Sequence, residues 1–345
     1  MRLILTSLKY SIGLEKEIQA IIDKSIENGV ETFFWGDSRY NITNRINFFK
    51  LFKGFFLKKN TIYFYNFHIY QPFFLILFKL LGNQIVIMLH EPYKSIKELT
   101  KYGFIQGFIY TIVLYVQKQT LFIVDYIFTP SKYAYKLTRQ SIPSRLHYKI
   151  IETRILLKKS KTKNYHKKKY LSIIGKLNPD KNLIPIINYI NQLIRGNIYN
   201  KNIKFAVITS SNILPYIKSL LPGWQNYLLI VNQKKLKDSV INKYINSSYA
   251  VLCTHSVASQ SGVLALAYMH GVPVIAKNIP AFNQFMLKNG GPLLVKDFTI
   301  KNLKKAINYV IINNDLLKKQ CLNLSTQNFD IQNFSYFYRK LLKIL

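Results

Sequence analysis

The side chains best suited to chemistry form one short run of small polar residues, Thr254, Ser256, Ser259, Gln260, Ser261 and Gly262. Hydroxyls, an amide and a glycine in one loop suit anion binding, because backbone N–H groups stay open and glycine lets a ligand approach. The flanking elements would hold that loop in place. Ala250-Val251-Leu252-Cys253 has the length and β-branched content of a buried strand, and Val263 to His270 reads as a compact helix. Gly271 closes that helix, and Pro-Val-Ile-Ala begins another strand. In an open α/β sheet the crevice lies beyond the strands' carboxyl ends. A helix N-terminus opening there predicts a phosphate site.

Composition sets the scale. At 345 residues the chain is long enough for two α/β domains. Hydrophobic residues make up 49%, so the chain folds. The two cysteines, Cys253 and Cys321, are too few for a disulfide framework or a metal cluster, and Cys253 reads as a small core residue. A reducing, cytoplasmic setting is expected. Lys and Arg number 49 against 15 Asp and Glu, a formal net charge of +34, which calls for an anionic partner: nucleic acid, anionic lipid or a phosphorylated substrate. The aromatic, basic stretch from Phe48 to Lys59 reads equally as a helix lying in a bilayer interface or as one packed on a sheet with a solvated basic face. No run reaches the roughly 20 apolar residues that span a bilayer. The nearest, Phe104 to Val116, reads as a core or interface helix. The start, Met1 to Leu5, reads as a strand rather than a signal peptide.

Along the chain, strands and helices alternate. A strand at Arg2–Thr6, a helix at Leu14–Glu27 and a strand at Val30–Trp35 make a βαβ opening with one glycine, Gly13, at its first turn. A strand at Thr61–Phe67, a helix at Pro72–Leu81 and a strand at Gln84–Leu89 follow, the last ending on His90-Glu91-Pro92. His90 stands where such folds keep functional groups, though on the residues alone a loop histidine without a role is the slightly favoured reading. A helix at Phe104–Leu121 leads to a strand at Tyr126–Phe128, after which Ser131 is placed to cap a helix. The basic run Lys158–Lys169 reads as a linker, with a nucleic-acid arm as its rival. The second series has strands at Tyr170–Ile174, Lys204–Thr209, Tyr227–Val231 and Ala250–Thr254. Its helices fall at Leu183–Arg195, Ile213–Leu221, Leu236–Asn246 and Ile300–Ile312, before an aromatic basic tail, Phe334–Leu345. The pattern predicts an α/β chain of two doubly wound domains facing each other across a cleft.

Two motifs carry a resemblance. Gly175-Lys176-Leu177 followed by Lys181-Asn182, and later Gly271-Val272-Pro273-Val274-Ile275-Ala276, resemble the start and the signature of the C-terminal domain of GT-B glycosyltransferases. The likeness is to the large retaining group, family 4, that includes bacterial lipopolysaccharide, capsule and exopolysaccharide enzymes. It covers the whole chain in outline, most specifically Tyr170 to Val295. It implies a GT-B fold of Rossmann-like domains: residues 1–157 binding the acceptor, a linker at 158–169, residues 170–325 binding the nucleotide sugar, and a helix at 326–345 packing back on the first domain. It also implies that Lys176 and Lys181 bind the donor diphosphate, where two cations stabilise the charge that grows as the glycosidic bond breaks. Lys in place of the family's Arg keeps the charge and loses the bidentate fork. Gly13, Gly175, Ser259, Gln260, Ser261 and Gly262 join them as donor-binding residues, and His90 matches the position facing the transferred sugar.

One departure stands out. The family's paired glutamates would fall at Ala258 and Leu266, and Gln284 stands where a further glutamate is common. Ser261 to Ala267 instead resembles a Ser-Gly-x-x-x-x-Ala version of the loop. The expected activity is sugar transfer from a nucleotide sugar to a polyprenyl-linked acceptor, without metal or cofactor, on the inner face of the cytoplasmic membrane. Nucleic acid is not an expected partner, since no nucleic-acid-binding motif is present. A non-catalytic, glycosyltransferase-like binding subunit is the alternative.

Overall fold

The computed structural model describes residues 2–7, 14–47, 60–66, 71–90, 104–158, 167–177, 181, 183–198, 203–256, 258, 261–287 and 291–344. The chain divides into two compact units, Met1–Lys159 with Asn328–Leu345, and Ser160–Gln327.

The first unit runs β1 (Arg2–Ser7), α1 (Leu14–Glu27), β2 (Glu31–Gly36), β3 (Asn60–Asn66), α2 (Gln71–Leu80), β4 (Gln84–Met88), α3 (Phe104–Thr120), β5 (Tyr126–Thr129), α4 (Lys132–Ser141) and β6 (Ile150–Glu152). Its strands form a parallel sheet in the order β2-β1-β3-β4-β5-β6, reversing direction of growth between β1 and β3. Successive side chains leave a strand on opposite faces. Leu3, Leu5, Tyr63 and Tyr65 therefore feed one core with Ile18 and Ile21 of α1, while Ile4, Ile62 and Phe64 feed the other with Leu75 and Phe78 of α2. Covering both faces explains why these strands are near-continuous apolar runs.

Two short helices, Phe334–Phe337 and Arg339–Ile344, complete the first of these cores through Phe334, Tyr338 and Leu341. Backbone bonds from Leu157 N–H to Phe329 O at 2.8 Å and from Ile331 N–H to Leu157 O at 3.1 Å fix the segment before them. Under it lies a buried polar group. Glu17 of α1 is 1% exposed, among Tyr63, Tyr65 and Tyr338. Tyr63 meets Tyr65 edge-on at 5.4 Å, and the Tyr338 hydroxyl donates to Arg154 O at 3.2 Å. Burial pushes the Glu17 carboxyl from its usual 4.5 up to about 8, against the opposing pull of Tyr65. Burial also holds the three phenols well above their usual range.

The second unit runs β7 (Tyr170–Ile174), α5 (Ile184–Arg195), β8 (Lys204–Thr209), α6 (Leu214–Ile217), β9 (Leu228–Asn232), α7 (Asp238–Asn246), β10 (Ser248–Cys253), α8 (Gly262–Met269), β11 (Val274–Lys277), α9 (Pro280–Asn283), β12 (Leu294–Val295), α10 (Ile300–Ile312) and α11 (Asn314–Asn328). The sheet is parallel, in the order β12-β11-β10-β7-β8-β9. That is the doubly wound order of dinucleotide-binding folds, with its switch point between β10 and β7.

Most elements stand within a residue or two of their expected limits, and Ser131 caps α4 by accepting the Ala134 N–H at 3.0 Å. Others differ. The helix expected at Ile213–Leu221 stops at Ile217, since Pro222 disfavours helical backbone at Leu221 and Gly223 turns left-handed at φ 83°. Strands β6 and β12 and helices α9 and α11 were not foreseen, and the single helix expected over 326–345 is the end of α11 followed by two short helices. The stretch Phe48–Lys59 and most of the basic run from Lys158 lie outside the described residues.

Candidate functional site

The described site residues of the second unit gather at the carboxyl ends of β7 and β10, the switch point of that sheet. Gly175 leaves β7 at φ 105°, a backbone that L side chains rarely adopt. A Cβ built there would lie 3.5 Å from Lys181 Nζ and 3.9 Å from Val263 Cγ2, so this turn runs directly past the lysine and the first turn of α8. Ser211 braces the turn: its Oγ accepts the Leu177 N–H at 2.9 Å and donates to Leu177 O at 3.2 Å. Asn232 Nδ2 in turn donates to Ser211 O at 2.8 Å.

Lys181 is 3% exposed, unlike the solvated surface lysine its sequence setting would give. Its ammonium donates to Ile174 O at the end of β7, and its backbone pairs with His255 in one antiparallel bridge. Burial lowers the ammonium's pKa, and neighbouring Cys253 acts in the opposite sense. The buried Cys253 thiol is raised for the same reason, with Lys181 and Ser261 opposing. Ser261 caps α8, its Oγ accepting the Leu264 N–H at 3.3 Å, and lies 4.0 Å from Cys253 Sγ. Gly262 opens that helix with an exposed backbone and no atom within 4 Å of where a Cβ would sit. A buried ammonium and the positive end of a helix dipole thus stand side by side, an arrangement that stabilises an anion.

Thr254 follows Cys253, and its buried Oγ1 has no hydrogen-bond partner among the described residues. The His255 ring stands edge-on to Phe282 at 5.8 Å. Lys176 is exposed on the Gly175 turn, without hydrogen bond or ion pair among the described residues. Leu266 is half-buried on α8, and Gln284 keeps a buried Oε1 without a partner among the described residues while its Nε2 donates to Ala281 O at 3.2 Å. Ser259, Gln260 and Gly13 lie outside the described residues. Ser211 and His255 carry no sequence signal of a role, because their partners Leu177 and Lys181 are remote in the chain. No group of three or more His, Cys, Asp or Glu residues among the described residues is placed to hold a metal ion.

His90 belongs to the first unit, just past β4. Its ring tilts against Tyr65 at 5.1 Å. The residue keeps some exposed surface, yet Nε2 is shut off from solvent. Burial pushes the imidazole down to about 4, with a hydrogen bond to the Tyr65 backbone opposing, so the ring is neutral at pH 7.

No known family pattern matches the sequence, and no curated protein matches it. Solved structures do. Anabaena HepE in complex with UDP-glucose is similar with a TM-score of 0.73 at 12% identity, over 100% of both chains. The UDP-forming α,α-trehalose-phosphate synthase of Burkholderia vietnamiensis gives 0.69 at 13% identity, over 99% of this chain and 98% of that one. The α,α-trehalose-phosphate synthase of Burkholderia xenovorans in complex with glucose-6-phosphate gives 0.69 at 11%, over 99% and 100%. Together with the two parallel, doubly wound sheets, these likenesses give this chain the GT-B fold of glycosyltransferases.

Proposed function

We propose that this chain is a glycosyltransferase that moves a sugar from a nucleotide-sugar donor to a polyprenyl-linked acceptor in the biosynthesis of bacterial surface polysaccharide. The observation that carries the reading is the meeting of Lys181, Gly175 and the N-terminus of α8 at the switch point of the second sheet. The donor's diphosphate sits there. Lys181 and the helix N-terminus stabilise the charge that builds on the leaving diphosphate, in a setting where burial strengthens both. Lys176 reaches the same phosphates from solvent, and Ser261 and Gly262 line them with backbone N–H groups; Ser259 and Gln260 are assigned to the donor by the resemblance alone. His90, whose ring is neutral at pH 7, is assigned to the transferred sugar by the resemblance alone.

The similar proteins bound to UDP-glucose favour UDP as the nucleotide. The narrower assignment to the family 4-like group rests on the Gly175-Lys176-Leu177 and Gly271 to Ala276 motifs. Leu266 cannot hold a ribose as the family's glutamate would, so the ribose is held by other groups of the Ser261–Ala267 loop type. The excess of 49 cations over 15 carboxylates supports an acceptor on an anionic membrane, the cytoplasmic face.

The test is donor consumption by the purified chain with UDP-, GDP- and TDP-sugars. Acceptors are a polyprenyl-diphosphate glycan and, because one similar structure holds glucose-6-phosphate, a hexose phosphate. Diphosphate release that needs the lipid-linked acceptor and collapses in Lys181→Ala is the expected result. Turnover with the hexose phosphate alone would replace the acceptor, and no donor binding by folded protein would leave a non-catalytic subunit.

A further inference from the structure

Helix α3 turns an apolar stripe to solvent. Ile105, Phe108, Ile109, Ile112 and Tyr115 are 50–74% exposed, and their spacing sets them on one face of a helix about 25 Å long. Helix α2, packed against it, does the same at i, i+3 and i+7, with Phe73 65%, Ile76 47% and Leu80 81% exposed. Scattered apolar residues on a surface need no explanation, but two adjacent helices each exposing a stripe make a patch that soluble chains rarely leave bare. Among the described residues no helix is long and apolar enough to cross a membrane.

One end of this patch is cationic. Where α3 ends, Lys79 Nζ pairs with Asp125 at 2.6 Å, and Lys149 Nζ donates to Val124 O at 2.6 Å and Phe122 O at 3.3 Å. The Arg145 guanidinium lies 4.9 Å from the Phe122 ring centre, and Lys118 is exposed one turn before. Lys79, Lys118, Arg145 and Lys149 thus stand about this end of α3, and Lys79 is paired with a carboxylate, Asp125. A second copy carries the same formal net charge of +34, and that repulsion disfavours a dimer here. Apolar side chains edged by Lys and Arg match a layer of acyl chains under anionic headgroups.

We propose that the α2–α3 face docks the protein on an anionic bilayer surface, with α3 lying in the interface plane and Lys118, Arg145 and Lys149 at the headgroups. This deepens the membrane part of the proposed function and rests on it. Docking would bring the first unit to the lipid that carries the acceptor.

Flotation of the full chain with phosphatidylcholine vesicles, and with vesicles containing phosphatidylglycerol, tests it without donor or acceptor. Binding is expected only to the second kind and should weaken as salt rises. Phe108→Ser with Ile112→Ser should cut partitioning about tenfold or more. Lys118→Glu with Arg145→Glu should cut it at least about 25-fold, at about fivefold per cation lost and further by repulsion of the new carboxylates. All four positions are at the surface, so the melting temperature should hold; if the apolar pair lowers it, Ile105→Ser repeats that arm alone. Failure of the wild type to float with anionic vesicles overturns the proposal, as does flotation untouched by both pairs. So does a dimer in light scattering that Ile112→Ser dissolves, which would give the face to a second copy. A chain that floats but transfers nothing refutes the enzyme alone. One that transfers sugar to a soluble acceptor analogue but never floats refutes the docking alone.

Discussion

Glu17→Gln isolates the cost of the buried carboxyl beneath the C-terminal segment. The folded carboxyl titrates at about 8 and the unfolded one at its usual 4.5. Between those values the folded state keeps a proton that the unfolded chain gives up, so stability is full below 4.5 and falls as pH rises toward 8. At about 1.4 kcal/mol per pH unit, the loss reaches about 3 kcal/mol by pH 7 and about 5 kcal/mol by pH 9. The surrounding phenols of Tyr63, Tyr65 and Tyr338 stay protonated throughout, so they do not blur the slope. Glutamine keeps the shape and cannot ionise. Its curve should run close to the wild type at pH 5 and lie about 3 kcal/mol above it at pH 7. Urea unfolding from pH 5 to 9, followed by Trp35 in a Trp224→Phe background, reads the first unit without the second. Parallel curves for the two proteins, or a variant that is less stable at pH 8, would refute a neutral buried Glu17.

Lys181→Ala should lower sugar transfer by about 10²–10³-fold in kcat, while exposed Lys176→Ala should act mainly on donor KM; steady-state kinetics on both separates them. Gly175→Ala forces a side chain into φ 105° and should cost about 1–2 kcal/mol in thermal or urea unfolding while weakening UDP binding by calorimetry. Gly36→Ala would put its Cβ 2.5 Å from Ser7 O, so β1 and β2 must part; a loss of about 1–3 kcal/mol is expected in the same unfolding assay. Ser261→Ala removes the α8 cap and should cost about 1 kcal/mol, read as faster amide exchange in Val263 and Leu264.

Sequence periodicity located the central strands well because they are buried on both faces, as Leu3 to Leu5 and Ile62 to Tyr65 illustrate. It missed α11 because its inward face, Leu317, Cys321 and Ser325, ends on a small polar residue and gives little contrast with Leu316 outside. It missed β6 because three residues are too few to show alternation. The candidate site was half legible. Gly175 and Ser261 could be read from local turn and cap chemistry. Lys181's burial could not, since it is set by the Ile174 carbonyl and by His255, whose place beside it is made only by the sheet. The Glu17 group was invisible for the same reason, its members coming from α1, β3 and the C-terminal segment. The apolar stripe of α3 was visible as hydrophobicity, but whether it faced inward or outward was not.

The first core is finished by Ile331, Phe334, Tyr338 and Leu341, residues made after the whole of the second unit, Ser160–Gln327. On the ribosome the order of completion is therefore inverted. The second unit has all of its strands in hand while the first still lacks one wall. At about 5–20 residues per second that wait lasts roughly ten to thirty seconds. During it Tyr63 and Tyr65 lack the cover of Tyr338, which makes the nascent first unit a client for chaperones that hold exposed apolar surface.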